Sequence, residues 1–110
     1  MDKIYDVRRG DPLILDHEYA HCATRIKFCG FDKEHEESTV YLLFGQPLDI
    51  QIALDDDNTL LITSELTQKP GTFMAQLQEC QLNDDSEYEY IRYSDIFDVV
   101  IAPSLATNNG

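Results

Sequence analysis

Apolar and polar residues alternate along most of this chain. In LDIQIAL, residues 48–54, Leu48, Ile50, Ile52 and Leu54 alternate with Asp49, Gln51 and Ala53. An extended chain points successive side chains to opposite faces, so this pattern predicts a strand with one buried and one wet face. A helix would scatter the same four apolar residues around its circumference. DDDN at 55–58 then interrupts the alternation. Asp and Asn bond their own backbone and tolerate turn geometry, so a hairpin turn is expected there. TLLITS (59–64) reads as the returning strand, with Leu60 and Ile62 on one face. SELTQKPG (64–71) has room for a single helical turn capped by Ser64 and stopped by Pro70 and Gly71. TFMAQLQECQL (72–82) is a third strand, with Phe73, Ala75 and Leu77 facing one way; Cys80 and Leu82 fall on the other parity, which points to a bulge.

Further strands are predicted near 3–8, 12–15, 23–29, 39–44, 87–93 and 96–101, joined by polar connections at 31–38 and 83–87. No segment holds ten residues of clean helical periodicity. Seven to nine short strands at regular spacing predict an all-β fold, an Ig-like antiparallel sandwich in preference to a small barrel. Residues 1–105 are expected to form one domain, and APSLATNNG ends in a tail at 106–110, with Pro103 closing the last strand.

A chain of 110 residues with 43% hydrophobic content can build a core without disulfide staples. Its cysteines are three, Cys22, Cys29 and Cys80, with no CxxC spacing, so neither a disulfide framework nor a zinc site of the usual kind is expected. All three are expected as small buried hydrophobes, in keeping with a reducing cytoplasm. The opening MDKIYDVRRGD is charged, and no apolar run approaches the ~18 residues of a membrane span; the expected product has no signal peptide and stays in the cell that makes it.

Charge narrows the partners. The net charge is −13, and residues 1–31 balance five acids against five bases. Residues 32–110 carry sixteen acids against Lys33, Lys69 and Arg92, which accounts for the whole excess. Phosphate contacts need Lys and Arg, so no nucleic acid is expected as a ligand, and an anionic membrane is repelled in the same way. What remains is a solvated acidic surface or one that docks a basic protein.

Catalytic and metal chemistry find little support. His17 and His21 in HEYAHC are four apart, but HExxxH lacks the zinc-protease spacing. Asp55, Asp56 and Asp57 cluster like cation ligands, yet Thr59 and Leu60 break the calcium-loop pattern. The serines lack a nucleophile-elbow context, and the glycines are scattered rather than gathered into a phosphate loop. No enzyme, cofactor or metal is therefore expected. EYEYIRYSDIF (87–97) places Tyr88 and Tyr90 on one strand face and Tyr93 on the other. Tyrosines, with an apolar body and a polar tip, suit protein contacts. The expected partner-binding residues are Tyr88, Tyr90 and Tyr93 with the acids Glu34, Glu36, Glu37, Asp55, Asp56 and Asp57.

Residues 48–80 run from apolar alternation through an acidic turn into ITSELTQKPGTF, with Thr63 where a proline is commoner. Together with YSDIFDVVIAPSL (93–105) and YDVRRGDP (5–12), this resembles the small β-rich modules of tailed-bacteriophage virion proteins, notably the N-terminal domain of upper-baseplate and tail-fibre proteins. The resemblance implies a non-catalytic building block that presents a sheet face or edge to neighbouring subunits, self-associates or joins other virion proteins, and is made in the host cytoplasm before entering the particle. The acidity departs from that pattern and leaves neck, head-fibre and decoration roles open beside tail and baseplate. The competing expectation is an acidic inhibitor, a toxin-immunity or anti-defence protein that docks on a basic surface.

Overall fold

Alternating side chains across extended segments yield nine strands in a computed structural model that describes residues 2–46, 48–55 and 57–105. The strands are β1 (Asp2–Asp6), β2 (Leu13–His17), β3 (Arg25–Cys29), β4 (Thr39–Phe44), β5 (Ile50–Ala53), β6 (Thr59–Leu61), β7 (Gly71–Leu82), β8 (Tyr88–Tyr93) and β9 (Phe97–Ala102). No helix occurs among the described residues. The expected tail at 106–110 lies outside them.

The strands form two sheets, one of three strands in the order β1-β3-β6 and one of six in the order β2-β9-β7-β4-β5, with β8 also on β7. β7 organises the larger sheet because it is twelve residues long. Its first half pairs with β9, its second half with β8, and β4 runs along its other side. Ser94 joins β8 to β9 by continuing the ladder: its N–H donates to the Leu77 carbonyl, and its hydroxyl accepts the Leu77 N–H at 2.9 Å. Most pairs are antiparallel, as expected. Two edge pairs, β1 with β3 and β2 with β9, are parallel, a departure that alternation alone does not encode.

The core lies between the sheets. Ile26 and Phe28 from β3, Leu42 from β4, Leu77 from β7 and Val99 from β9 are all at or near zero exposure. Tyr5 and Phe28 from the small sheet meet Phe97 from the large one, with ring centroids 5.2–6.2 Å apart, and so tie the layers together. Gly30 is required at the end of β3: its φ is +87°, and an added Cβ would stand 2.5 Å from Oδ1 of Asp6, the carboxylate that pairs with Arg8.

Three local expectations are corrected. The 64–71 segment forms a hydrogen-bonded turn, Leu66 N–H to Thr63 carbonyl, and not a helical turn; burial of Leu66 and the bond from the buried Thr67 hydroxyl to the Ala20 carbonyl fix it instead. The turn at 55–58 forms, but the strands on either side of it part: β5 pairs with β4 and β6 with β3. The cysteines differ from one another, for Cys80 is buried, Cys29 is half-buried, and Cys22, in a turn with φ 58°, is exposed. A bulge does interrupt the β7–β8 ladder, between Gln81 and Leu82, but their partners Tyr90 and Tyr88 place the extra residue, Glu89, on β8.

Candidate functional site

The side chains Phe73, Ala75 and Leu77 of β7 face the core, and the same parity turns Glu79 inward. The carboxylate is fully buried. An ion in that position must be matched by donors. The 31–38 loop supplies them: the Glu34 N–H lies 2.9 Å from Oε2 and the His35 N–H 3.1 Å, and the Ser38 hydroxyl donates to the same oxygen. Arg92, from β8, closes the arrangement with its Nη2 2.8 Å and Nε 3.2 Å from Oε1. Burial alone would raise the pKa of Glu79. The donors from Ser38, Arg92 and the two N–H groups outweigh it and hold the value down to about 2.

Arg92 also stacks 4.1 Å above the buried Phe31 ring and donates to the Asp32 carbonyl. Tyr90 donates from its hydroxyl to Oε2 of Glu34 at 2.7 Å, which raises the tyrosine's pKa, and its ring packs edge-on against His35 at 4.2 Å. Loop 31–38 is thus fastened to β7 and β8 by a connected polar network. On its outside it exposes Asp32, Glu34, Glu36 and Glu37, and the nearby β7–β8 turn and the start of β8 expose Asp84, Asp85, Glu87 and Glu89. Gln81 reaches Glu37 at 3.5 Å and joins the two groups at one acidic end.

The expected contact residues divide among three places. Glu34, Glu36, Glu37, Tyr88 and Tyr90 gather at the acidic end, with Tyr88 exposed and Tyr90 engaged in holding the loop. Tyr93 lies on the outer face of the large sheet, where its hydroxyl accepts from the Gln78 amide at 3.2 Å. Asp55 and Asp57 belong to the turn between β5 and β6, where Oδ1 of Asp55 accepts the Thr59 N–H at 2.8 Å. Asp56 lies outside the described residues. His21 takes the Ser64 N–H on Nδ1, and His17 sits beside Asp16, so the two histidines serve separate contacts. Among the described residues no three His, Cys, Asp or Glu side chains converge as a metal site.

Glu79, Arg92, Phe31 and His35 were not anticipated as a unit. The signal was present in the parity of β7, which counts a glutamate into the series Phe73, Ala75, Leu77. The loop that covers it comes from forty residues away, and no local pattern announces that.

The outer face of the large sheet supplies a second surface. A cleft of about 470 Å³ runs between Leu43 and Gln51 on one side and Met74 and Ile96 on the other. Met74 and Ile96 are each about 60% exposed, and Ile14 projects from the same sheet.

No protein-family model matches the sequence, and no curated protein matches it. Seven chains of solved structures match in three dimensions. One is the N-terminal domain of phage TP901-1 ORF48, with a TM-score of 0.61 over 93% of this chain and 99% of that one. The chain shares that domain's fold. At 11% sequence identity the likeness extends to the arrangement of strands and not to particular side chains.

Proposed function

We propose that this chain is a non-catalytic structural module of a bacteriophage virion that makes protein–protein contacts in the tail, baseplate, neck or head fibre. The observation that carries the reading is the end-to-end fold likeness to a domain of a phage protein. The sequence resemblance of residues 48–80 and 93–105 to virion modules supports it independently. So does the distribution of chemistry. The most heavily bonded polar group, Glu79, is sealed under a loop and spends its hydrogen-bonding capacity on holding that loop. The exposed features are apolar side chains on a sheet face and carboxylates at one end, which suit association. Such a protein would be made in the host cytoplasm and retained in the particle.

Co-expression with phage tail, baseplate, neck and head-fibre proteins, followed by size exclusion with light scattering, tests the reading. A stable complex or a defined oligomer is expected. A monomer at high concentration that binds none of those proteins overturns it.

The eight exposed carboxylates of the acidic end favour a second reading, an acidic inhibitor that occupies a basic groove on a toxin or defence protein. Binding would then be steered by charge and weaken with salt. Replacing Glu34, Glu36 and Glu37 by Gln should abolish such inhibition in a protein that remains folded. Unchanged inhibition would end this reading.

A further inference from the structure

We infer that the parted strands β5 and β6 form a receiving groove for an extended segment of a partner protein, one that alternates apolar residues and carries Lys or Arg at its ends. Two strands joined by a tight turn ordinarily satisfy each other's backbone groups. Here the turn closes normally, with Asn58 N–H bonded to the Asp55 carbonyl at 3.0 Å and Asp55 N–H to the Thr59 carbonyl at 3.3 Å. Beyond it β5 follows β4 and β6 follows β3 into different sheets. Each is then the terminal strand of its sheet.

The direction of the free groups follows from the ladder. Leu54 N–H bonds to the Val40 carbonyl of the β4 side. Alternation along an antiparallel strand then turns the backbone groups of Gln51 and Ala53 away from β4. On the other strand Ile62 N–H bonds to the Thr24 carbonyl, so the groups of Leu61 turn away from β3. Unpaired edges of this kind add a strand readily.

Between the parted strands lies a cleft of about 220 Å³, floored by Ile50, Ile52, Leu60 and Leu66 and edged by Leu61 and Glu65. Ile50 and Ile52 pack on the core yet remain only partly covered. An added strand would therefore find backbone partners at its side and an apolar floor for alternate side chains. The charges around this groove select its occupant. Glu65 lines it, Asp49 precedes β5 and Asp55 follows it, all three exposed. The neighbouring bases Arg25 and Lys27 project from the outer face of the small sheet. In this groove a segment of a second copy of this chain, whose net charge is −13, is disfavoured, and a strand with basic flanks is attracted.

The inference names the surface by which the proposed virion module would be joined, and its test does not depend on a virion. The probe is a fluorescein-labelled peptide of alternating valine and threonine with a lysine pair at each end, titrated against the full chain by anisotropy. Saturable binding is expected, weakened at least tenfold when glutamates replace the lysines. Two variants should each weaken it at least tenfold: Ala53→Pro, which removes an outward N–H from an edge strand, and Leu61→Lys, which places a base at an exposed lip. Hydrogen exchange of the wild-type complex should slow at Gln51, Ala53 and Leu61. No binding to the wild-type chain overturns the inference. So does binding indifferent to both variants, or slowing confined to other strands. A negative result would leave the virion assignment standing on the particle's composition, and absence from particles would leave the groove standing on the peptide result.

Discussion

Glu79 and Arg92 meet across the β7–β8 ladder with Oε1 2.8 Å from Nη2, and loop 31–38 folds over them. The pair is the fastening of the acidic end to the sandwich. Glu79→Ala leaves the guanidinium and the N–H groups of Glu34 and His35 without their acceptor. The expected loss is about 3–5 kcal/mol, as for other broken buried pairs. Glu79→Gln, which keeps an acceptor oxygen, should lose less. Urea denaturation measures both, and amide exchange should accelerate in 31–38 before the core strands.

Acid should loosen the same fastening. Glu79 titrates near 2 when folded against an ordinary 4.5, so its contribution is fully present above the ordinary value and is lost as pH falls towards the folded one. The amount is on the order of 3 kcal/mol, lost between about pH 5 and pH 2. Thermal melts of wild type and Glu79→Gln across that window should show their difference in stability shrinking. A difference that stays constant or grows as the solution is acidified contradicts the assignment.

Asn58 gives a test in which the smaller residue is the better one. Its φ is 59°, it is buried, and its side-chain amide donates to the Phe31 carbonyl at 3.1 Å. Asn58→Ala loses the bond and strains the backbone, whereas Asn58→Gly loses only the bond. Alanine is expected to cost about 2–3 kcal/mol and glycine about 1 kcal/mol less. Chemical denaturation gives the order directly.

The two faces of β7 should respond differently. Leu77→Ala opens space at a position with no exposure and should cost about 2–5 kcal/mol. Met74→Ala, on the outer face and 59% exposed, should stay within about 0.5 kcal/mol. Comparable losses at both positions would mean that the outer face is covered.

Period-two alternation made most of the strands legible because a strand with one face against the core alternates: the inward series of β4, Val40, Leu42 and Phe44, can be read directly from the chain. Which strand neighbours which is carried by contacts distant in sequence, so the parting of β5 from β6 was not legible. The turn residues Asp55 and Asn58 do what their chemistry requires, and the divergence begins only after them. The fastening around Glu79 was half legible. Parity turns the glutamate inward, but its donors come from a loop whose residues read as ordinary solvated acids. Tyr90 was identified as a contact residue by type alone, and its geometry shows it occupied with Glu34 and His35.

The most direct test of the proposed virion role is mass spectrometry of gradient-purified, salt-washed phage particles from cells in which this chain is produced. The chain is expected in those particles at a fixed copy number relative to the major structural proteins. Its recovery solely from the soluble fraction of infected cells, with none in the washed particles, would contradict the account.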